Sequence, residues 1–121
     1  MESFWNAQAE WSRATFGSDT ERGPQGPLKH LRKEVDEVLA NPHDLEEYAD
    51  LLFLVFDATR RAGFSYLDLD NAAWMKLEKN KQRVWSKPTT DDPVEHIRDE
   101  DENKPEWGIR PGLDAYDHIS D

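Results

Sequence analysis

The chain has 121 residues, which fits one small domain and leaves no room for a separate regulatory half. Its net charge of −11, from 26 acids against 15 Lys and Arg, argues against a nucleic-acid backbone as partner. The absence of Cys excludes a disulfide framework, thiolate metal sites and thiol catalysis, and fits a reducing compartment.

The first helix is expected over about Ser3 to Thr15, ending before Gly17. Its start, MESFWNAQAEW, lacks the basic segment and apolar run of a signal peptide. A loop rich in Gly and Pro, Gly23 to Pro27, leads to a second helix over about Leu28 to Leu39, with a core stripe of Leu28, Leu31, Val35, Val38 and Leu39. Asn41 and Pro42 stop it. Asp44 is placed to cap a third helix running to about Ala62, with Gly63 in the C′ position. The short connection makes helices two and three an antiparallel hairpin. Ser65 can cap a last helix, about Tyr66 to Trp85, that carries Trp74 and Leu77 towards the core. No segment alternates with period two, so the expected class is all-α.

The domain is therefore expected over 1–85, followed by an arm over 86–121. That arm holds 11 acids against 4 Lys and Arg, four prolines and few apolar residues, and reads as extended or partly disordered, with Trp107, Ile109, Leu113, Tyr116 and Ile119 able to pin it to a neighbour. The longest apolar run, Leu51 to Phe56, is too short to span a bilayer, so the chain reads as cytoplasmic with no membrane partner. Asp99, Asp101 and Asn103 have the spacing that opens an EF-hand loop, but Lys104 stands where its Gly is required and Arg110 where its Glu belongs.

The third helix carries the chemistry. LLFLVF is apolar around its whole circumference and belongs in the middle of a bundle, yet Glu47, Asp50, Asp57 and Arg61 fall along one stripe of it. Ionised carboxylates leaving water need a counter-charge or a metal, and something cationic should meet that stripe. Asp57 and Arg61, one turn apart, are able to pair with each other. On the second helix Glu34 and Glu37 share a face, with His30 one turn before Glu34. The hairpin brings Glu34, Glu37, Glu47 and Asp50 together, four oxygen ligands that suit Mg²⁺ or Mn²⁺ better than zinc. Glu46 competes with Glu47, and the phase with Asp50 favours Glu47. On the fourth helix Lys76, Lys79, Asn80 and Arg83 form one face fit for phosphate. Each feature also has a plainer reading: acidic pairs as solvated faces, the cationic stripe as a surface ladder, Trp5 and Trp11 as core or dimer contacts.

Taken together these residues resemble the MazG-like, all-α NTP pyrophosphohydrolases, whose paired ExxE and ExxD signatures are matched by Glu34 to Glu37 (EVDE) and Glu47 to Asp50 (EYAD), with KLEKNKQRVW as the later Lys, Asn, Arg segment. FGSDTERGPQGPLKHLRKEVDE, EEYADLLFLVFDATRRAG and PVEHIR look like the phage and bacterial dATP/dGTP diphosphohydrolase branch. The gap of nine residues between Glu37 and Glu47 is near the superfamily's lower limit. The resemblance implies a four-helix bundle completed by oligomerisation, as a homodimer or dimer of dimers. It implies two or three Mg²⁺ ions on Glu34, Glu37, Glu47 and Asp50, and phosphates on Lys76, Lys79, Asn80 and Arg83. Water would attack the α-phosphorus of a purine (deoxy)nucleoside triphosphate, oriented by Glu37, and pyrophosphate would leave. Trp5, Gln8 and His30 are the candidates for contacting the base. Two rival classes are a non-catalytic nucleotide binder of this fold and an acidic interaction protein leaning on the arm.

Overall fold

The computed structural model describes residues 1–85, 87 and 90–97. The expected arm lies outside the described residues apart from 87 and 90–97, as do all five of its anchoring candidates. The fold is all-α: α1 spans Glu2–Phe16, α2 Gln25–Ala40, α3 Leu45–Arg61 and α4 Tyr66–Gln82. A two-residue antiparallel pair follows, β1 Val84–Trp85 with β2 His96–Ile97. The last helix thus stops three residues before the expected Trp85. The chain divides into two compact units, Met1–Ala73 and a second beginning at Trp74 within α4. No helix among the described residues is long and apolar enough to cross a membrane.

The helix ends follow local chemistry. Asp44 adopts an extended backbone and its Oδ1 accepts from the Glu46 amide at 3.1 Å, satisfying one of the donors orphaned at the start of α3. At the other end Gly63 takes φ 95°, its amide reaches the Arg60 carbonyl and that of Phe64 reaches Thr59, a Schellman closure that a Cβ would strain. Ser65 and Asp68 exchange side-chain to backbone bonds of 3.1 and 2.9 Å, a reciprocal capping box at the start of α4. Gly17 ends α1 at φ 97°. α2 begins at Gln25, earlier than expected, because Pro27 sits in its first turn, where a missing N–H costs no hydrogen bond.

Helices α2 and α3 form the antiparallel hairpin. Glu37 faces Glu47 near its closed end, and at the open end a Cβ on Gly26 would meet Arg61 Nη1 at 3.8 Å. Helix α1 packs on α3 through aromatic contacts: Phe4 to Phe53 at 5.5 Å, Trp5 to Phe56 at 4.7 Å, and Trp5 onward to Tyr66 at 5.6 Å. Buried apolar side chains are few. Of the stripe expected on α2 only Val38 is buried, while Leu28, Val35 and Leu39 are exposed, and LLFLVF is half-buried apart from Phe56, which is buried, and Val55, which is exposed. On α4 the expectation is reversed: Trp74 and Leu77 are exposed, whereas Lys76 and Lys79 are buried.

Candidate active site

The hairpin gathers three carboxylates. Glu34 and Glu37 project from successive turns of α2, Glu47 from the first turn of α3, and one oxygen of each lies within 4.8 Å of the others. Glu47 occupies this place rather than Glu46, as the helical phase requires. Among the described residues two cationic side chains act on Glu34. His30 Nε2 sits 3.0 Å from Glu34 Oε1, and Lys33 adds a weaker attraction. A hydrogen bond with Glu37 holds the Glu34 carboxyl below the ordinary glutamate range. The same bond, and then the Glu34 charge, push Glu37 above that range. Desolvation, then the neighbouring Asp44, Asp50 and Glu34, push Glu47 up as well. The opposite shifts of Glu34 and Glu37 are those of two close carboxylates that act on each other.

Asp50 takes a different place from the one expected. It is exposed rather than buried and stands outside the close trio, yet it acts on Glu47 through space and lines, with Glu34 and His30, the adjoining cavity. That cavity, about 420 Å³, lies between α1, the loop after it and the hairpin, and Trp11, Phe16, Arg22 and Arg61 also face it.

Two expected base contacts are elsewhere. Gln8 is 4% exposed, its Nε2 donating to Asp57 Oδ1 at 3.0 Å and its Oε1 accepting from Arg60 Nη1 at 2.7 Å. Trp5 is buried beneath the Arg60 guanidinium, 5.2 Å from its ring. Asp57 pairs with Arg60 and not with Arg61, so the cation that meets the α3 stripe comes from the next turn of the same helix. Arg60 also reaches Asp19 at 3.5 Å, and Asp19 is held by Arg13 at 2.7 Å. Sequence reasoning missed this network. Its signal was present in the polar residues Gln8 and Ser12 on the α1 face that also carries Trp5 and Ala9, polar side chains that a buried face does not carry without partners.

Lys76 and Lys79 share a face of α4, and Arg83 follows directly after the helix ends. Lys76, Lys79 and Arg83 are all buried, Asn80 is half-buried, and Arg83 Nη1 donates to Asn80 Oδ1 at 2.9 Å. A solvated surface ladder would be exposed, whereas these three side chains are buried.

Comparison with known proteins agrees with the geometry. Over 95 residues the chain is 47% identical to the Eaa protein of Salmonella phage P22, a match that covers 78% of this chain and 29% of that protein. The matched region therefore spans under a third of that relative. No solved structure matches the chain significantly. The sequence fits the dATP/dGTP pyrophosphohydrolase family over residues 4–103, which take in the whole hairpin with its carboxylate trio, and the chain belongs to that family.

Proposed function

We propose that the chain is a divalent-metal-dependent pyrophosphohydrolase that converts a purine deoxynucleoside triphosphate, dATP or dGTP, and water into the monophosphate and pyrophosphate. The observation that carries this reading is the convergence of Glu34, Glu37 and Glu47 within 4.8 Å, in a chain of this family. The fit to a hard cation is chemical. The donors are all carboxylate oxygens, and two of the three carboxyls are pushed above the ordinary range, Glu37 first by its hydrogen bond with Glu34 and Glu47 first by desolvation, with neighbouring negative charge adding to both. An ion lodged there would exert the opposite pressure. Glu34, Glu37 and Glu47 would hold Mg²⁺, with Mn²⁺ as substitute, and Asp50 would contribute from the cavity side. When bound, such an ion supplies charge stabilisation at the phosphate oxygens and a more acidic water.

The remaining steps fall to the chain. Glu37 orients the attacking water and takes its proton. The new bond joins that water oxygen to the α-phosphorus. The bond that breaks joins the α-phosphorus to the bridging oxygen, and pyrophosphate leaves with the electron pair. Lys76, Lys79, Asn80 and Arg83 are the phosphate-binding group in this reading, and His30 fixes Glu34. A homodimer or dimer of dimers belongs to it too, since Leu39 at 74% and Leu45 at 81% exposure leave the closed end of the hairpin apolar and uncovered. A relative encoded by a phage makes nucleotide-pool control a fitting role.

The test is a panel of the eight common NTPs and dNTPs with Mg²⁺ and then Mn²⁺, separating monophosphate plus pyrophosphate from diphosphate plus phosphate. Monophosphate and pyrophosphate from dGTP or dATP are expected. Tight nucleotide binding without turnover in either metal would replace this reading with that of a non-catalytic binder.

A further inference from the structure

We propose that Asp19 is a positioning residue of the nucleotide site: gripped by Arg13 and Arg60, it fixes the loop between α1 and α2 so that Arg22 stands in the cavity wall and donates to the bound nucleotide. The proposal rests on the nucleotide reading above and adds two residues, Asp19 and Arg22, that the reading does not use.

The grip has a loose side and a firm one. Arg13 Nε and Nη2 both reach Asp19 Oδ2, at 2.8 and 2.7 Å, but the Arg13 side chain is half exposed and such a pair alone holds weakly. Arg60 is different. Its side chain is 2% exposed and already fixed by Asp57, Gln8 and the Trp5 ring, so it meets Asp19 Oδ1 at 3.5 Å with little further ordering to undergo. Arg60 Nε makes no hydrogen bond among the described residues, and the Asp19 carboxylate is the charge that stands opposite it.

From Asp19 the loop is tied to itself as far as Arg22. The Glu21 amide bonds the Ser18 carbonyl at 3.3 Å, Ser18 and Thr20 share a hydroxyl bond of 3.2 Å, and the Glu21 carboxylate fills the space that a Cβ on Gly17 would take. Arg22 follows at once and lines the cavity. It is exposed and, among the described residues, makes neither an ion pair nor a hydrogen bond, in a chain with 26 acids against 15 Lys and Arg. Its guanidinium donors are open to a ligand.

The place of Arg22 along the hairpin decides what it does. Gln25 opens α2 and Glu34 lies nine residues later, so at 1.5 Å per residue the loop joins the hairpin about 14 Å from the nearest member of the trio. Arg22 therefore meets a part of the nucleotide remote from the reacting phosphorus. A contact at that distance is the same before and during bond breaking, so it lowers KM and leaves kcat alone. The trio acts on kcat instead.

The experiment measures kcat and KM for pyrophosphate release from dATP and dGTP by the full chain in Mg²⁺, beside calorimetric binding of their α,β-methylene analogues, which cannot be cut. Arg22→Ala should raise KM about tenfold or more, as for a lost charge-assisted bond, with kcat within about twofold. Asp19→Ala should do the same, and in the Arg22→Ala background it should add no more than about twofold. A residue that only held the fold together would not show that non-additivity. An unchanged KM in Asp19→Ala or Arg22→Ala, multiplied effects in the double variant, or a loss confined to kcat overturns the proposal. Should Asp19→Ala fail to fold, the exposed Arg13→Ala decides: a smaller rise in KM supports the grip, and an unchanged KM overturns it. If wild type binds the analogues and releases no pyrophosphate, the enzyme reading falls, and the same comparison of affinities supports or overturns the role of Asp19. If wild type turns over and Asp19→Ala matches it, the enzyme reading stands and the positioning role falls. No binding and no turnover in wild type overturns both.

Discussion

Helix α3 carries acids at both ends of one stripe, and the two ends treat them in opposite ways. At Asp57 the protein supplies everything: Arg60 pairs with the carboxylate, Gln8 bonds both, Trp5 lies under the guanidinium, and Asp19 reaches the same cation from the loop. At Glu47 the protein supplies more acid, with Glu34 and Glu37 closing on it, while His30 and Lys33 act on Glu34. An acid with its counter-charge built in is a structural element that borrows nothing from solution. Under the proposed function, an acid surrounded by acids is where a cation from solution completes the site.

That contrast predicts unequal effects. The largest should come from Arg60→Ala, whose side chain is 2% exposed. Removing it leaves Asp57 as a buried charge without its cation, and the cost should be about 3–5 kcal/mol in urea unfolding. A loss under about 1 kcal/mol would show that the network is wetter than its burial indicates.

Next come Glu37→Gln and Glu47→Gln, which should act the other way on the metal-free chain. Each removes a like charge from the trio, so the metal-free melting temperature should rise or hold, while pyrophosphate release falls about 100-fold or more, as for a lost metal-site interaction. Metal addition should raise the melting temperature of wild type and leave these variants nearly unmoved, since binding to the native state alone stabilises it. A metal-free protein destabilised by Glu47→Gln would break the comparison, because it would make the trio structural.

A smaller effect is expected with pH. Glu37 and Glu47 have folded pKa values above the ordinary 4.5, so they favour the folded state below that value and lose this contribution as pH rises through the raised values. Glu34, held low, runs opposite. Metal binding needs all three ionised. The metal-induced rise in melting temperature should therefore grow with pH from just above 4.5, and binding should release protons, measurable by calorimetry in buffers of different ionisation heat. A rise independent of pH between about 4.5 and 6.5 would remove Glu37 and Glu47 from the ligand set.

Much of this was legible in the residues, because it depends on spacing and local chemistry. Asp44, Gly63 and Ser65 fix helix ends by bonds to their own neighbours, and the short turn at Asn41 and Pro42 makes Glu37 meet Glu47. What lay hidden depends on which faces find a partner. Leu28, Val35 and Leu39 have the periodicity of a core stripe whether that stripe meets the same chain or another. Lys76 and Lys79 have the spacing of a surface ladder and are buried. Asp57 has Arg60 and Arg61 within one turn of it, and only the arrival of Gln8 from α1 chooses between them. Trp5 and Trp11 lie on the same short helix, yet one is core and the other faces the cavity.

The smallest effect sharpens the comparison most narrowly. Glu46 and Glu47 are adjacent in the first turn of α3, so their side chains leave the helix about 100° apart. Glu47 joins the trio, whereas Glu46 is exposed, and its backbone amide takes the cap from Asp44. Glu46→Gln keeps that amide and removes only an exposed charge whose action on Glu47 is the weakest of those that raise it. Stability should change by no more than about 0.5 kcal/mol, and pyrophosphate release and metal affinity should stay within about twofold, a few tenths of a kcal/mol, as for an exposed charge pair. If Glu46→Gln instead abolished the metal response while Glu47→Gln spared it, α3 would have to be rotated by one residue about its axis. That rotation would also turn Asp57 away from Gln8, so one pair of substitutions, compared side by side, tests the register on which both ends of the stripe depend.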